Sequence, residues 1–401
     1  MARLLVFLIA AVALFPSAAG AAGPAATKRA LAREMAKTSA SSGAYVVDLG
    51  SGETIFASKP DTPRIPASVE KLYTAAGALL RYGPEGRLTT EVLADELPDE
   101  TGTIRGNVVL RGAGDPTLDA SSLRSLARRL ARAGLKRITG RVIGDESAFD
   151  AFRGVPSSGY RLSSWVGPLS ALSYNRGRTG VARPYFQSSP ALFTAQAFQR
   201  ALKREGVKIG RSARAGTGQV GMTPLSELES DPMASIVRQM NVPSDNWIAE
   251  MLSKGLGSQF GGEGSTVAGG RVVREAIRPF GISPKIVDGS GLSRSNRTTP
   301  RQVVTLLAGL AESEVASAFD ASLPVIGRHG TVSGRMRGTP AQDRCRAKTG
   351  TLSNVSALAG YCDTTGGERV AFAFLMNRVW PGSARTVQDR MTVALARYDA
   401  G

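Results

Sequence analysis

The feature of this chain with the clearest capacity for chemistry is a serine followed three residues later by a lysine. Ser68 and Lys71 stand in the segment PASVEK, residues 66–71, where an apolar run with helical spacing begins. Residues at i and i+3 share one face of a helix, so the lysine amine can reach the serine hydroxyl. A hydroxyl is a weak nucleophile until a base takes its proton. The pair therefore predicts Ser68 as a nucleophile and Lys71 as its general base.

Two further segments make this prediction specific, because a serine and lysine at this spacing also occur by chance. They are Ser244-Asp245-Asn246, at a junction between helical runs, and Lys348-Thr349-Gly350, in a strand-like run. We expect Ser244 to relay a proton to the leaving nitrogen and Asn246 to hold both Lys71 and a substrate amide. The alternative for the first segment is simple helix capping by short polar residues.

Lys348 is expected to add positive potential and to bind an anionic group. Burial and a second cation both lower the pKa of a lysine, so Lys348 would help to make Lys71 a base. Gly350 would let a substrate lie close along the strand edge. The backbone N–H groups of Ser68 and Thr351 could form an oxyanion hole.

Other catalytic classes find little support in the composition. His329 is the single histidine and lies in a loop-like context, and no Gly-x-Ser-x-Gly segment surrounds Ser68. A Ser-His-Asp triad is therefore disfavoured. With one histidine and two cysteines that are expected to pair, a catalytic zinc site is disfavoured as well. We predict no metal site and no cofactor.

The two cysteines, Cys345 and Cys362, are predicted to form a disulfide. They flank two strand-like runs, and a turn centred on residues 353–354 would place them opposite each other. A directly opposite pair of strand residues lies within disulfide reach. The bond would brace the hairpin that carries Lys348. The alternative is two buried free thiols.

Residues 1–22 are predicted to be a secretory signal peptide. Arg3 precedes an apolar run over residues 4–15, and small residues follow up to Ala22. The run is short for a membrane span, which disfavours an uncleaved anchor. We therefore expect an exported protein in the periplasm or the extracytoplasmic cell wall space, where cysteines can be oxidised.

The formal net charge of the whole chain is +17 at pH 7, which favours anionic partners. In an exported protein, these would be cell-wall polymers or a membrane surface. The predicted compartment argues against nucleic acid, and there is no dense basic run with interleaved aromatic residues. The alternative explanation is a compositional bias towards arginine.

The chain is long enough for two domains, with 401 residues of which 42% are hydrophobic. Around residue 87, the pattern changes to short strand-like runs that alternate with a helical run at 121–133. We predict a discontinuous catalytic domain, residues 23–86 and 221–401, interrupted by an inserted domain at 87–220.

The segments together resemble a known family. They are residues 68–71, 112–118, 168–176, 244–246, 288–294 and 348–352. The chain is similar to the class C, low-molecular-mass penicillin-binding proteins, the D-alanyl-D-alanine carboxypeptidase/endopeptidase family of serine DD-peptidases. The sequences GDPTL (114–118) and DGSGLS (288–293) are not expected in β-lactamases, which makes the resemblance specific.

The resemblance implies an α/β (α+β) fold of the β-lactamase/transpeptidase type. It has a central antiparallel sheet flanked by helices, plus an inserted smaller α/β domain. It also implies cleavage of D-Ala-D-Ala or D-Ala cross-link bonds in peptidoglycan stem peptides through an acyl-Ser68. β-Lactams would acylate the same serine. In such proteins, the residues after Lys-Thr-Gly line the substrate, which points to Thr349, Thr351 and Ser353. Asp115 is a weaker candidate for contacting the stem-peptide side chain.

The resemblance also leaves alternatives open. Members often carry a further subdomain after the Asn175-Arg176 segment, whereas a helical run follows here within about 20 residues. A β-lactamase or D-amino-acid esterase could use the same trio of segments. A catalytically dead wall-binding module is disfavoured because all five expected catalytic residues are present: Ser68, Lys71, Ser244, Asn246 and Lys348. Carboxypeptidase and endopeptidase action are not distinguished.

Overall fold

The computed structural model describes residues 21–180 and 185–401. Nearly all of the predicted signal peptide lies outside this part of the chain. Among the helices of the described residues, none is long and apolar enough to cross a bilayer.

The helices within these residues are, in chain order, α1 (Pro24–Met35), α2 (Lys71–Tyr82), α3 (Ala120–Arg132), α4 (Pro190–Arg204), α5 (Met233–Asn241), α6 (Asn246–Phe260), α7 (Thr266–Ile277), α8 (Pro300–Ala311), α9 (Ala316–Ser322) and α10 (Pro381–Ala396). The strands are β1 (Ser42–Asp48), β2 (Thr54–Ser58), β3 (Thr89–Ala94), β4 (Thr103–Ile104), β5 (Val108–Arg111), β6 (Arg137–Ile138), β7 (Val142–Asp145), β8 (Arg178–Thr179), β9 (Tyr185–Phe186), β10 (Lys208–Ile209), β11 (Arg214–Ala215), β12 (Thr223–Glu229), β13 (Cys345–Leu352), β14 (Val355–Asp363) and β15 (Arg369–Asn377).

The first of two five-stranded sheets is antiparallel throughout and has the order β13-β14-β15-β1-β2. Its central strands β14 and β15 are apolar over nearly their whole length because both faces of the sheet are covered. On one face, α1 and α10 bury alternate residues such as Phe372 and Phe374. On the other face, α2 and α8 lie over Ala371 and Ala373. The Lys348-Thr349-Gly350 segment of β13 therefore lies on a sheet that is packed on both sides.

The second five-stranded sheet is mixed and has the order β11-β7-β5-β3-β12. Strands β5, β7 and β11 run parallel, and β3 pairs antiparallel with both β5 and β12. Helices α3 and α4 cover one face, where Leu126 and Phe198 are fully buried. The predicted fold class is thus confirmed: an antiparallel sheet flanked by helices, and a smaller α/β region inserted in the sequence.

The exact domain boundaries stay a proposal. Strand β12 begins after residue 220, where the catalytic domain was predicted to resume, yet it pairs with β3 of the second sheet. We therefore assign β12 to the inserted unit. The sequence of β12 did not indicate this pairing. Its residues alternate between exposed and partly buried, because a strand at the edge of a sheet lacks the continuous apolar run of a central strand.

Part of the predicted insertion packs against the helices of the catalytic unit. Phe149, Val155, Val166 and Leu169 are buried in the same hydrophobic cluster as α2, α5 and α6. The Lys254 ammonium on α6 pairs with the Asp150 carboxylate at 2.6 Å and donates to the carbonyl of Phe152 at 2.9 Å. These contacts fasten the loop over residues 149–169 beside α6.

Candidate active site

Ser68 lies on a short 3-10 turn, Ala67–Glu70, and the α-helix α2 begins at Lys71. The spacing predicted that the serine and the lysine would lie on one continuous α-helix. In the structure they do not. In a 3-10 turn, residues i and i+3 eclipse each other, which brings their side chains together at least as well. Lys71 Nζ lies 3.1 Å from Ser68 Oγ. Ala67 enters the turn with a positive φ of 49°, a strained backbone conformation of the kind found next to catalytic groups.

Lys71 Nζ has two further partners, and both can only accept. It lies 2.7 Å from Asn246 Oδ1 and 2.7 Å from the carbonyl oxygen of Ser290. A neutral amine has two N–H groups and one lone pair. If the two acceptors take the two N–H groups, the lone pair is left for the hydroxyl proton of Ser68. The three contacts thus orient Lys71 as a base towards the nucleophile.

Asn246 is held in the orientation that this contact requires. Its Nδ2 donates to the carbonyl oxygen of Trp165 at 3.1 Å. Since a carbonyl oxygen accepts and does not donate, the Asn246 side chain must turn its own oxygen towards Lys71. The loop that was fastened beside α6 thereby reaches the active site through Trp165.

The Ser244-Asp245-Asn246 segment both caps a helix and faces the site. The Asp245 carboxylate accepts from the N–H of Ile248 at 2.9 Å and so caps α6. Ser244 precedes it with a positive φ of 63° and accepts from Lys348 Nζ at 2.7 Å. The capping interpretation therefore applies to the middle residue, while its two neighbours point towards Lys71 and Lys348.

Both lysines are fully buried, and burial is the main reason why their pKa values fall. The pKa of Lys71 is lowered to about 8, against the opposing attraction of nearby carboxylates. The pKa of Lys348 is lowered well below its usual value, first by burial and then by the charge of Lys71. A substantial fraction of Lys71 is therefore neutral near pH 8, as a general base must be.

Two glycines allow the chain to close around the Ser68 turn. A Cβ atom at Gly350 would lie 2.6 Å from the carbonyl oxygen of Pro66, and one at Gly291 would lie 2.0 Å from that of Ala67. Gly350 is thus needed for close contact with protein backbone, and the substrate contact expected of it stays a prediction. This contact sets β13 beside the backbone N–H of Ser68, close to Thr351.

The predicted residues open onto one pocket of about 1000 Å³. Ser68, Ser244, Thr349, Thr351 and Ser353 all line it. Further lining residues are Trp165, Asn246, Leu292, Arg294, Thr331, Gly334, Arg335, Leu352, Ser356, Ala357, Arg385 and Gln388. The pocket therefore offers hydroxyl groups and cationic side chains beside the nucleophile.

Lys71, Lys348 and Gly350 lie behind this lining rather than in it. Two further residues considered from the sequence, Asp115 and His329, are not part of it either. Asp115 is 3% exposed, and its Oδ1 accepts from the N–H and the hydroxyl of Thr117 at 2.7 and 2.6 Å. It closes a turn, and the structure does not bring it to the pocket. His329 lies two positions before the pocket residue Thr331 in the chain but is not part of the lining.

Sequence reasoning missed several contributors. The Ser290 carbonyl and Trp165 act through backbone atoms, which residue type does not reveal. Thr331 lies 2.8 Å, hydroxyl to hydroxyl, from Thr349. Glu250 follows Asn246 by four residues on α6, so its position on the same helix face was available from the spacing.

The predicted disulfide is present. Cys345 and Cys362 are directly opposite in the β13–β14 pairing, with Cα atoms 4.0 Å apart, and they are bonded. The turn between these strands falls at residues 353–354, as predicted. The bond closes the hairpin that carries Lys348.

Comparisons with known proteins agree with this geometry. The model of the D-Ala-D-Ala carboxypeptidase 3 (S13) family matches residues 27–183 and 179–398. The D-alanyl-D-alanine carboxypeptidase of Actinomadura sp. (strain R39) is 31% identical over 458 residues, which cover 92% of this chain and 84% of that protein. Carboxypeptidase DacB of Mycolicibacterium smegmatis is 31% identical over 411 residues, covering 94% and 86%.

The fold is also found among solved structures. The crystal structure of penicillin binding protein 4 (dacB) from Haemophilus influenzae superposes with a TM-score of 0.77 at 22% identity, covering 92% of this chain and 99% of that one. Bd3459, a predatory peptidoglycan endopeptidase from Bdellovibrio bacteriovorus, superposes with a TM-score of 0.57 at 18% identity, covering 87% and 90%. With a family model that spans nearly the whole described chain, the protein belongs to the D-Ala-D-Ala carboxypeptidase 3 (S13) family.

Proposed function

We propose that this protein is a serine DD-peptidase that cleaves the D-Ala-D-Ala bond of peptidoglycan stem peptides. The observation that carries the proposal is the set of three contacts at Lys71 Nζ, which leaves its lone pair for Ser68 Oγ. The name of the relative from Actinomadura, a D-alanyl-D-alanine carboxypeptidase, supports the same substrate class, and the relative from Mycolicibacterium is also named a carboxypeptidase.

In the first half of the reaction, Ser68 Oγ attacks the carbonyl carbon between the two D-alanines as Lys71 takes the hydroxyl proton. The carbonyl oxygen becomes an oxyanion, which the backbone N–H groups of Ser68 and Thr351 would stabilise. The C–N bond then breaks, and Lys71 passes the proton it has taken through Ser244 to the leaving amine, which returns Lys71 to its neutral form. An acyl-Ser68 ester and free D-alanine result.

In the second half, water attacks the ester carbon and gives up a proton to Lys71. The C–O bond to Ser68 breaks, and the serine recovers its proton. Lys348 would contribute positive potential for a substrate carboxylate, and the hydroxyl groups of Thr349, Thr351 and Ser353 would line that substrate. β-Lactams would stop the cycle at the acyl-Ser68 stage. A related structure in complex with a β-lactam supports that expectation.

The position of the protein outside the cytoplasm is part of the proposal. The predicted signal peptide and the disulfide both favour an oxidising compartment, either the periplasm or the cell wall space. The chain is strongly basic, and α3 and α4 carry exposed basic residues but no carboxylates. We expect this face to be the part of the molecule attracted to anionic wall polymers or to a membrane surface.

The test is product analysis with defined muropeptides, monomeric and cross-linked, by mass spectrometry. Loss of one D-alanine from a monomeric pentapeptide supports a carboxypeptidase, and conversion of a dimer to monomers supports an endopeptidase. A β-lactamase or D-amino-acid esterase would instead release a β-lactam adduct rapidly and leave muropeptides intact. Binding to cell walls with neither activity would overturn the proposal in favour of a non-catalytic module.

A further inference from the structure

Three fully buried carboxyl groups lie around Lys71, and the proposed reaction uses none of them. They belong to Glu70, Glu250 and Asp288, each 0% exposed. Burying carboxyl groups is costly unless hydrogen bonds or charges compensate, so their surroundings determine what each can do. Their hydrogen bonds differ sharply, and this difference singles out Glu250.

Glu250 is connected to the catalytic lysine through one loop. It lies on α6 four residues after Asn246, on the same face of the helix. Its carboxylate accepts from the N–H of Ser290 at 2.8 Å and from the N–H of Gly289 at 3.3 Å. The carbonyl oxygen of the same Ser290 accepts from Lys71 Nζ at 2.7 Å. Helix α6 therefore contacts Lys71 twice, directly through Asn246 and indirectly through Glu250.

The other charged groups facing Lys71 act differently. Asp288 fixes its own loop, because its carboxylate accepts from the N–H groups of Gly291 and Ser293 and from the amide of Asn296. Asp245 on the α6 cap is paired with an arginine, Arg176. On β13, Lys348 is a second buried lysine, and burial and then the charge of Lys71 lower its pKa.

Glu70, which precedes Lys71 in the chain, is the contrasting case. Neither of its carboxyl oxygens has a hydrogen-bond partner. Burial raises the pKa of Glu70 well above its usual value, which favours its neutral form. It therefore shares the burial and the neighbourhood of Glu250 but not its hydrogen bonds.

We propose that Glu250 is a positioning residue for the reaction: its carboxylate holds the Ser290 peptide against Lys71, and its charge sets how readily Lys71 gives up a proton. This inference rests on the proposed role of Lys71 as the base for Ser68. It assigns to α6 a second function beyond carrying Asn246. Both effects depend on the two hydrogen bonds to the loop and on the negative charge that they stabilise.

The sign of the charge effect follows from the surroundings of Lys71. Burial lowers the pKa of Lys71 to about 8, and Glu250 is the largest influence in the opposite direction. The pKa of Glu250 itself is raised to about 7, so its carboxylate is charged where Lys71 titrates. Removing that charge should lower the pKa of Lys71 further. The neutral, reactive form of the lysine would then persist to lower pH.

The experiment is the pH dependence of acylation by a fluorescent penicillin in the wild type, Glu250→Gln and Glu70→Gln. In Glu250→Gln, the midpoint of the acid limb should move down by about one pH unit. The plateau rate should fall about tenfold. The two loop N–H groups bond to different carboxylate oxygens, and the amide keeps only one oxygen that can accept. Glu70→Gln is the matched control: it replaces a buried carboxyl group that accepts no hydrogen bond, so its plateau should equal that of the wild type and its midpoint should move less than in Glu250→Gln.

Glu250→Asp separates the effect of the negative charge from the effect of side-chain length. It also keeps the proposal testable if Glu250→Gln fails to fold. It keeps the charge but is shorter by one methylene group, so its midpoint should stay near the wild-type value while its plateau falls. A Glu250→Gln plateau that falls at an unchanged midpoint, or a Glu250→Asp midpoint that moves as far as expected for Gln, would overturn the inference. Failure of the proposed function looks different: the wild type itself would not be acylated at any pH.

Discussion

Lys348 Nζ donates to Ser244 Oγ across 2.7 Å, although the two residues are 104 positions apart in the chain. Lys71 makes the corresponding contact with Ser68 at 3.1 Å. The site is therefore built from two serine–lysine pairs. One pair holds the proposed nucleophile and its base, and the other holds the proposed relay to the leaving group.

The nucleophile is tested by Ser68→Ala. This change removes the hydroxyl group that would form the ester, so covalent labelling by fluorescent penicillin should disappear. Ser244→Ala is the matched variant, since it removes a hydroxyl from the second pair in the same pocket. It should still be labelled, but more slowly. Labelling of Ser68→Ala at the wild-type level would show that another serine is acylated.

The base is tested by Lys71→Ala. A positioned general base contributes about 100- to 10,000-fold to a rate, so kcat/KM for D-alanine release should fall by roughly that range. Thermal unfolding followed by circular dichroism should still show one cooperative transition. Its midpoint is expected to be lower, because Glu250 and Asp288 lose a neighbouring positive charge. Turnover near the wild-type level in the folded variant would exclude Lys71 as the base.

The rate of acylation should rise with pH through a midpoint of about 8. Lys71 must be neutral to take the proton of Ser68, and burial lowers its pKa to about 8. Below the midpoint, the neutral fraction falls about tenfold for each pH unit, and the rate should fall with it. The second-order rate constant for acylation by penicillin, measured between pH 5 and 9, checks this. A flat profile over that range would contradict it.

The disulfide should stabilise the hairpin that carries Lys348. Cys345 and Cys362 are separated by 17 positions in the chain. Closing a loop of about that length lowers the conformational entropy of the unfolded chain and thereby stabilises the folded protein by roughly 3 kcal/mol. Reducing agent should therefore lower the melting temperature of the wild type. The double variant Cys345→Ala, Cys362→Ala should start from a lower melting temperature and not respond to reductant. Equal sensitivity of both proteins would point to an effect unrelated to this bond.

What the sequence could predict about the site follows from its local spacing. Ser68 and Lys71 are three residues apart, and the hairpin register of the two cysteines depends on one turn. In both cases, short-range geometry limits where the side chains can go. The closure of three distant segments around one pocket came from a resemblance to a family, since no local pattern dictates it.

The parts that were missed depend on backbone atoms and on approach between distant segments. Ser290 contributes a carbonyl oxygen, which any residue could supply, and Trp165 likewise holds Asn246 through its carbonyl. The backbone contact of Gly350 was missed for a related reason: its small size accommodates the carbonyl of Pro66, a contact across nearly 300 residues. The pairing of strand β12 with β3 was not evident from the sequence either, because an edge strand is only partly buried.

Asp115 provides a prediction about stability and, at the same time, a check on its role. Burial raises the pKa of Asp115 from 3.8 to about 6, so the folded protein binds this proton more tightly than the unfolded chain. Its contribution to stability is therefore most favourable below pH 4 and is lost as the pH rises through about 6, a change of about 3 kcal/mol.

Asp115→Asn keeps an oxygen to accept both bonds from Thr117 without carrying a charge. The variant should thus be more stable than the wild type at pH 7.5, and the difference should shrink towards pH 4, as measured by urea unfolding at both values. Because Asp115 lies outside the pocket, the KM for a stem peptide should not change. A raised KM would restore Asp115 as a substrate contact.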